Sequence, residues 1–270
     1  MYEFPHPQPV TVALHARNGV VRLHAEDRDD IQVTVEPMDG KDSGREAAES
    51  TPVLLEGDTL VIGERDTVSW SLRRTPKLAI TARVPAGSSL AGKSASADVA
   101  ATGPWQTVKL DVASADVQID EIAGDAALDS ASGDLSVSRV GGSLRIGAAS
   151  GDIRVGDVTG DVSAKSASGD MRLDAVDGRL RVSTASGDVR IGRLREGRSE
   201  IKTASGDVQV GIEAGAGVWL DVSTASGRTI TDLTQQGAAP PAADGPAVEL
   251  TVRTASGDIH LHRATDRKVA

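Results

Sequence analysis

The stretch Ser132-Gly-Asp-Leu-Ser-Val-Ser-Arg-Val-Gly-Gly-Ser-Leu-Arg-Ile-Gly-Ala-Ala149 decides the fold, because it is one complete unit of a repeat. Its second half repeats the apolar pattern of its first half after nine residues, and Gly133 and Gly142 are also nine apart. Apolar residues that alternate with a period of two are typical of a strand with one buried face. Glycines between such strands indicate corners. The unit therefore predicts a coil of two short strands and two corners, whose inward residues are Leu135, Val137, Val140, Leu144, Ile146 and Ala149.

This unit recurs along the chain, marked by nine copies of an Ala-Ser-Gly-Asp motif, of which the first two carry Ala in place of Gly and one carries Arg in place of Asp. Five successive intervals between the motif serines are 18 residues, and the last three are 19, 21 and 30. A single coil cannot bury its apolar face, whereas stacked coils pair strand with strand and share one core. We therefore predict an all-β fold, a β-solenoid with two short strands per 18-residue coil. The motif serines are Ser96, Ser114, Ser132, Ser150, Ser168, Ser186, Ser205, Ser226 and Ser256.

The first part of the chain has a different pattern, which divides the sequence into two predicted regions. Residues 1–90 show plain apolar alternation and are predicted to form an N-terminal β cap, and residues 91–270 form the solenoid. Asn18-Gly19 and Gly57-Asp58 are typical of hairpin turns. The charged segment from Pro37 to Pro52 is predicted to be a loop.

Two further segments near the carboxyl end lack the repeat pattern. Gln235 to Pro246 is rich in Ala, Pro and Gly, and we expect a flexible surface excursion within the last coil. The chain ends in a short basic tail that begins at Arg263 and includes Lys268.

Composition excludes several classes of function. The net charge of −10 argues against sequence-independent nucleic-acid binding, which needs a basic face. The chain has no cysteine, so it forms no disulfide and no thiolate metal site. The amino terminus has no pattern of a secretory signal, and no apolar stretch is long enough to span a bilayer, so we expect a cytoplasmic protein.

The motif aspartates are the most obvious candidate site. Stacked carboxylates could bind Ca²⁺, as nonapeptide repeats do, although here an Asp occurs only in alternate half-coils. The alternative is a turn residue that accepts hydrogen bonds from nearby backbone N–H groups. Arg154, Arg172 and Arg190 each lie two residues after a motif Asp on the same strand face, which favours an exposed row of salt bridges. The motif carboxylates are Asp98, Asp116, Asp134, Asp152, Asp170, Asp188, Asp207 and Asp258, and the remaining copy carries Arg228.

Two smaller patterns offer other chemistry. Thr184, Thr203, Thr224 and Thr254 each lie two residues before a motif serine, and stacked threonines would form a hydroxyl array like that of ice-binding solenoids. The alternative is simple β-propensity at a corner. His260 and His262 share one strand face and would form an adventitious metal pair, although the sequence identifies no third ligand. No phosphate-binding loop or nucleophile motif is present.

The motif set as a whole resembles the DUF4097 family of bacterial β-strand repeat proteins, often described as adhesins. The residues that carry this resemblance are the Ser-Gly-Asp copies and four segments. These segments are Arg28-Asp-Asp30, Val84-Pro-Ala-Gly-Ser88, Val210-Gly-Ile-Glu-Ala-Gly-Ala-Gly-Val-Trp-Leu-Asp-Val222 and Thr254-Ala-Ser-Gly-Asp-Ile259. The resemblance covers nearly the whole chain and implies the solenoid fold, which by itself does not define a function.

The sequence therefore predicts a non-enzymatic structural or interaction module. It would bind a protein partner, or associate with itself, through the solenoid. It would have no catalytic residue, metal site or cofactor. An envelope-associated adhesin or scaffold is the first alternative, and an enzyme of unidentified class is the second.

Overall fold

The structure, a computed structural model, describes residues 1–64, 76–233 and 247–264. The chain divides into two compact units, Met1–Val137 and Ser138–Ala270. Parallel strands that return every coil build both units, so the predicted all-β solenoid with two strands per 18-residue coil is confirmed. The regional division at residue 90 stays a prediction.

The first unit contains ten strands and one helix among its described residues, and β11 (Leu135–Val140) spans the division between the units. The strands are β1 (Tyr2–Pro5), β2 (Thr11–Glu26), β3 (Asp30–Pro37), β4 (Val53–Glu56), β5 (Thr59–Ile62), β6 (Leu78–Pro85), β7 (Ser89–Trp105), β8 (Val108–Ser114), β9 (Val117–Ile122) and β10 (Ala126–Ser132). The helix is α1 (Asp42–Ser50).

Strand β2 pairs with a solenoid coil on one edge and with other strands of the first unit on the other edge. One edge of β2 pairs in parallel with β7 from Thr11↔Ser89 to His24↔Thr102. The other edge pairs with β5 and β6, and the antiparallel strands β3, β1 and β4 are added to these. These strands cover an edge of β2 that would otherwise expose unpaired N–H and C=O groups.

One of the two predicted hairpins is wrong. Asn18 and Gly19 lie inside β2 and form a corner of the coil, with Gly19 at φ +124°. A Cβ at Gly19 would lie 1.9 Å from the carbonyl oxygen of Leu78, so the close approach of β6 requires glycine there. The other hairpin is confirmed, because Gly57 and Asp58 join the antiparallel strands β4 and β5.

The predicted loop from Pro37 to Pro52 contains the helix α1, which corrects that expectation. Gly44 and Ala48 are its buried residues, and they are four apart, so they share one face of the helix. The helix ends where the Thr51 N–H donates to the Ala47 carbonyl, directly before Pro52, which disfavours helical geometry in the residue that precedes it. A segment of nine residues with only two buried positions has too weak a periodicity to distinguish a helix from a loop.

The described residues of the second unit contain twelve further strands, which form two parallel ladders with one apolar core. One ladder runs β12–β14–β16–β18–β22–β20, and the other runs β13–β15–β17–β19–β23–β21. The strands are β12 (Leu144–Ala148), β13 (Ile153–Val158), β14 (Val162–Ser166), β15 (Met171–Val176), β16 (Leu180–Ser186), β17 (Val189–Leu194), β18 (Gly197–Ser205), β19 (Val208–Ile212), β20 (Gly217–Ser226), β21 (Thr229–Thr231), β22 (Ala247–Ser256) and β23 (Ile259–Arg263).

Equivalent residues of successive coils stack in register inside this unit. Ile153 pairs with Met171 and Met171 with Val189, and all three are buried. The predicted inward residue Ala149 is instead exposed. The alternation that begins at Leu144 continues along β12 to Ala148, so the inward position of this corner is one residue earlier.

The last two coils are stacked in the reverse of their order in the sequence. Strand β22 follows β20 along the chain, yet it lies between β18 and β20. The coil formed by β20 and β21, here called the terminal coil, therefore ends both ladders among the described residues. The predicted excursion from Gln235 to Pro246, and the basic tail after Ala264, lie outside the described residues.

Candidate functional site

The motif aspartates form rows whose carboxylates bond to backbone. In the first unit, Asp98 Oδ1 accepts from the Asp116 N–H at 3.1 Å, and Asp116 Oδ1 accepts from the Asp134 N–H at 2.9 Å. The second unit repeats this contact at 2.8–3.0 Å, from Asp152 through to Asp258. The turn-residue alternative is confirmed, with the refinement that each donor lies one coil away.

This arrangement leaves little of each carboxylate for a metal ion. One oxygen is already an acceptor, and Ca²⁺ needs six to eight oxygen ligands. Within residues 1–64, 76–233 and 247–264, no group of three or more His, Asp or Glu side chains is placed to bind a metal ion. The same stretches contain no helix long and apolar enough to cross a membrane.

Arg228 ends the aspartate row of the second unit. Its backbone N–H donates to Asp258 Oδ1 at 2.8 Å, and its guanidinium lies 3.2 Å from Asp258 Oδ2. The backbone hydrogen bond from Arg228, followed by the hydrogen bond and charge of its side chain, lowers the pKa of Asp258 below its ordinary value. The single motif copy without Asp is therefore the last copy of this row. Among the described residues, no further coil presents a backbone N–H that a carboxylate at position 228 would accept from.

The three predicted arginines form an exposed row on the outer face of β13, β15 and β17. Arg154 pairs in register with Arg172, and Arg172 with Arg190. Arg154 and Arg190 bond the motif Asp of their own coils at 2.8 and 2.7 Å, as predicted. Arg172 instead bonds Asp174 at 3.0 Å. Because these side chains are about half exposed, the pairs add little stability.

Three of the four threonines of the predicted hydroxyl array are not on the surface, and the fourth, Thr224, is partly exposed and donates to the Gly257 carbonyl at 3.1 Å. Thr184, Thr203 and Thr254 are buried, and each donates to the carbonyl of the motif serine two residues later, at 3.0–3.2 Å. Ser130 and Ser166 make the same bond at 3.2 and 2.7 Å. These hydroxyls satisfy corner carbonyls from inside the coil, so the ice-binding hypothesis is wrong.

The two histidines of β23 are close to each other but are individually bonded. Their ring centroids are 5.5 Å apart. His262 Nδ1 lies 3.0 Å from the Val210 carbonyl, and His260 Nε2 lies 3.8 Å from an Asp232 carboxylate oxygen. The metal-pair hypothesis gains no third ligand from this geometry.

Two of the motifs that carry the family resemblance have structural roles. Ser88 is fully buried, and its hydroxyl accepts from the Val10 N–H at 3.0 Å and donates to the Pro85 carbonyl at 2.6 Å. The nearly buried Arg28 bonds Glu26 at 2.8 Å and Asp30 at 2.6 Å. Both motifs fasten turns rather than form a reactive site.

These features define a class of protein. It is a parallel β-solenoid whose outer surface carries backbone-bonded carboxylates and paired arginines. The chain belongs to the Toastrack DUF4097 family, whose model matches residues 12–262. The predicted family membership is thus confirmed. No curated protein matches the sequence.

Two solved structures match this chain over nearly its whole length. A candidate adhesin from Bacteroides fragilis NCTC 9343 is 14% identical, with a TM-score of 0.44 over 96% of this chain and 95% of that one. A protein from Parabacteroides distasonis ATCC 8503, described as a candidate lipid-binding protein, is 12% identical, with a TM-score of 0.46 over 98% and 96%. At these values the likenesses carry no argument about what this chain binds.

Proposed function

We propose that this protein is a non-enzymatic binding module that presents the outer face of β13, β15 and β17 to a protein partner. The observation that carries the proposal is the exposed row of Arg154, Arg172 and Arg190, held in register by a parallel ladder. Strands in such a ladder are about 4.8 Å apart, so the backbone positions of the three arginines have a fixed spacing. Arginine is enriched in protein interfaces, and a rigid backbone needs no further ordering on binding.

The charges beside this row describe the partner. Asp152, Asp170 and Asp188 lie along one side of the arginines, and Asp174 lies on the other. A surface with adjacent rows of opposite charge selects a partner with the complementary pattern and repels one with a single sign of charge. A polar protein surface with both signs of charge fits this pattern better than a nucleic acid does.

An enzymatic role has less support from the same geometry. The repeated carboxylates, which are the residues most available for acid or base chemistry, are each engaged by a backbone N–H. The adhesin or scaffold role implied by the family resemblance is a form of the present proposal in which the partner lies at the cell envelope. A cytoplasmic partner is the form that we favour, on the sequence pattern alone.

The experiment compares two triple variants as baits. One is Arg154→Ala with Arg172→Ala and Arg190→Ala. The matched control removes three exposed cations from the other outer face, by Arg145→Ala, Lys165→Ala and Arg181→Ala. Partners cross-linked to the wild type in cells of the source are identified, purified and titrated against all three proteins.

We expect the first variant to bind the purified partner at least about tenfold more weakly than the wild type. A change of this size corresponds to the loss of one modest interface contact. The control should bind within about twofold of the wild type, because its side chains lie on a different face. Equal binding by the wild type and the first variant would contradict the proposal. Turnover of a small-molecule substrate by the purified chain would favour the enzyme alternative.

A further inference from the structure

Among the described residues, no strand covers the outer side of the terminal coil. Val218, Leu220 and Val222 face inward from β20, yet each remains partly exposed. Their register partners in β22 are Val248, Leu250 and Val252, and these are 0% exposed. The difference arises because β22 has a strand on each side, whereas β20 has one strand neighbour in its ladder among the described residues.

The backbone of β20 is open on the same side. In the ladder that contains β20, the Leu144 N–H donates to the Asp161 carbonyl and the Val162 N–H to the Arg179 carbonyl, so the residue before the first inward position of each strand bonds towards the preceding coil. The same register directs the N–H and C=O groups of Trp219, Asp221 and Ser223 towards β22, and those of Val218, Leu220, Val222 and Thr224 away from it. These four residues form the open edge.

The open edge lacks the usual protection against strand pairing. Natural edge strands carry Lys, Pro or bulges that prevent edge-to-edge association. The sequence of β20 is Gly217-Val-Trp-Leu-Asp-Val-Ser-Thr-Ala-Ser226, with neither Lys nor Pro over ten residues. The coil also exposes Trp219 (38%) and Ile230 (47%), two of the largest exposed apolar residues.

Two observations limit what can pair with this edge. In each preceding coil, the motif Asp Oδ1 accepts a hydrogen bond from a backbone N–H of the next coil. A further parallel coil in register would find no such acceptor on the terminal coil, because Arg228 stands in place of the motif Asp. In the first unit, the corresponding outer edge of β2 is occupied by β5 and β6. Addition of another copy head to tail therefore has no matching surface.

We propose that two copies of this chain associate through β20, antiparallel and about a two-fold axis. A two-fold contact places the same strand against itself, so it needs no second complementary surface. The four residues of the open edge on each strand supply up to about eight main-chain hydrogen bonds across the contact. The association covers the exposed apolar residues of the terminal coil, and it does not depend on the partner-binding face proposed above.

Cysteine scanning of the full-length chain tests the geometry, because the chain has no cysteine of its own. The variants Trp219→Cys, Asp221→Cys, Ser223→Cys and Ala225→Cys are each treated with a short bis-maleimide. In a two-fold antiparallel contact, the residue nearest the axis faces its own copy. The matched control is Ser183→Cys, which has the coil position of Ser223 but strand neighbours on both sides.

We expect a species of twice 27.8 kDa whose yield is highest at one of the four positions and falls on either side of it. The control should remain a monomer. Yields no higher than that of the control at all four positions would overturn the proposal.

Sedimentation velocity on the unmodified chain supplies an independent measurement. The wild type and Val222→Ala should show a concentration-dependent dimer, and Val222→Pro should be a monomer, because proline removes an N–H of the open edge without removing a β22 bond. Circular dichroism verifies that Val222→Pro is folded, and if it is not, the cysteine series decides. A wild type that is monomeric up to about 100 μM, or that grows beyond a dimer, would overturn the proposal; that concentration lies well above ordinary interface affinities.

Discussion

Ile153 and Arg154 are neighbours in β13 with opposite environments, and they provide a sharp test of the fold. Ile153 is 1% exposed and stacks on Met171, whereas the Arg154 side chain is 54% exposed and bonds Asp152. We predict that Ile153→Asp unfolds the second unit or nearly does so, and that Arg154→Asp leaves it folded.

The expected magnitudes follow from these environments. Removing a fully buried isoleucine side chain from the core costs about 2–3 kcal/mol. Keeping the new carboxyl neutral at pH 7, when its ordinary pKa is about 3.9, costs roughly 4 kcal/mol more. The sum of about 6–7 kcal/mol is comparable to the whole stability of many domains. Arg154→Asp removes one exposed ion pair and adds a like charge beside Asp152, which costs about 1 kcal/mol.

Urea unfolding followed by circular dichroism measures both variants, and Ile153→Asn is the matched control. If the carboxyl that Ile153→Asp introduces is buried, its pKa is raised in the folded state, so the folded state binds the proton more tightly. The stability of Ile153→Asp should therefore rise as the pH falls from 7 towards 4, measured against that of Ile153→Asn. If Arg154→Asp unfolds the unit and Ile153→Asp does not, every inward and outward assignment in this strand is reversed.

Four further outcomes are expected. Ser199→Ala should raise the free energy of unfolding by about 1 kcal/mol, because the buried Ser199 Oγ has no hydrogen-bond partner among the described residues; a lower urea midpoint would contradict this. Asp170→Ala should lower stability by about 1 kcal/mol, and Asp170→Asn by less, since Asn keeps an oxygen for the Asp188 N–H; equal losses would assign the effect to charge. Arg228→Ala should raise the pKa of Asp258 towards its ordinary value in a carboxyl-detected NMR titration, and an unchanged pKa would show that the guanidinium is not involved. Millimolar Ca²⁺ should leave the melting temperature unchanged in differential scanning calorimetry, whereas a large increase would show that the aspartate rows bind the ion.

The inward residues of the coil were largely predictable from the sequence because each is specified several times. Leu135, Val137 and Val140 are buried as predicted, and the same positions are apolar in coil after coil. Ala149 was assigned wrongly because the nine-residue repeat was extended into the corner, where strand alternation continues instead. The helix α1 was missed because a single short segment has no repeat to support it.

The order of the last two coils could not be predicted for a physical reason. A parallel ladder is satisfied when identical positions meet, and β20 and β22 carry the same pattern at the same positions. A repeated sequence therefore determines the conformation of each coil, but it contains little information about the order in which the coils stack. The sequence did contain one indication, Arg228, but its meaning depends on knowing that each motif Asp bonds the following coil.

The reversed order of the last coils has a consequence for how the chain folds as it is synthesised. Strand β20 is complete before β22, and at ordinary elongation rates the thirty or so residues from Ser226 to Ser256 take about 2–6 seconds. During that interval β18 lacks its native neighbour β22, and β20 carries apolar residues at the same positions as β22. The native arrangement then requires β22 to pair with β18 and β20 to dock on β22. Two nearly identical segments thus compete for one docking position, and the segment that is made first is the one that must yield it.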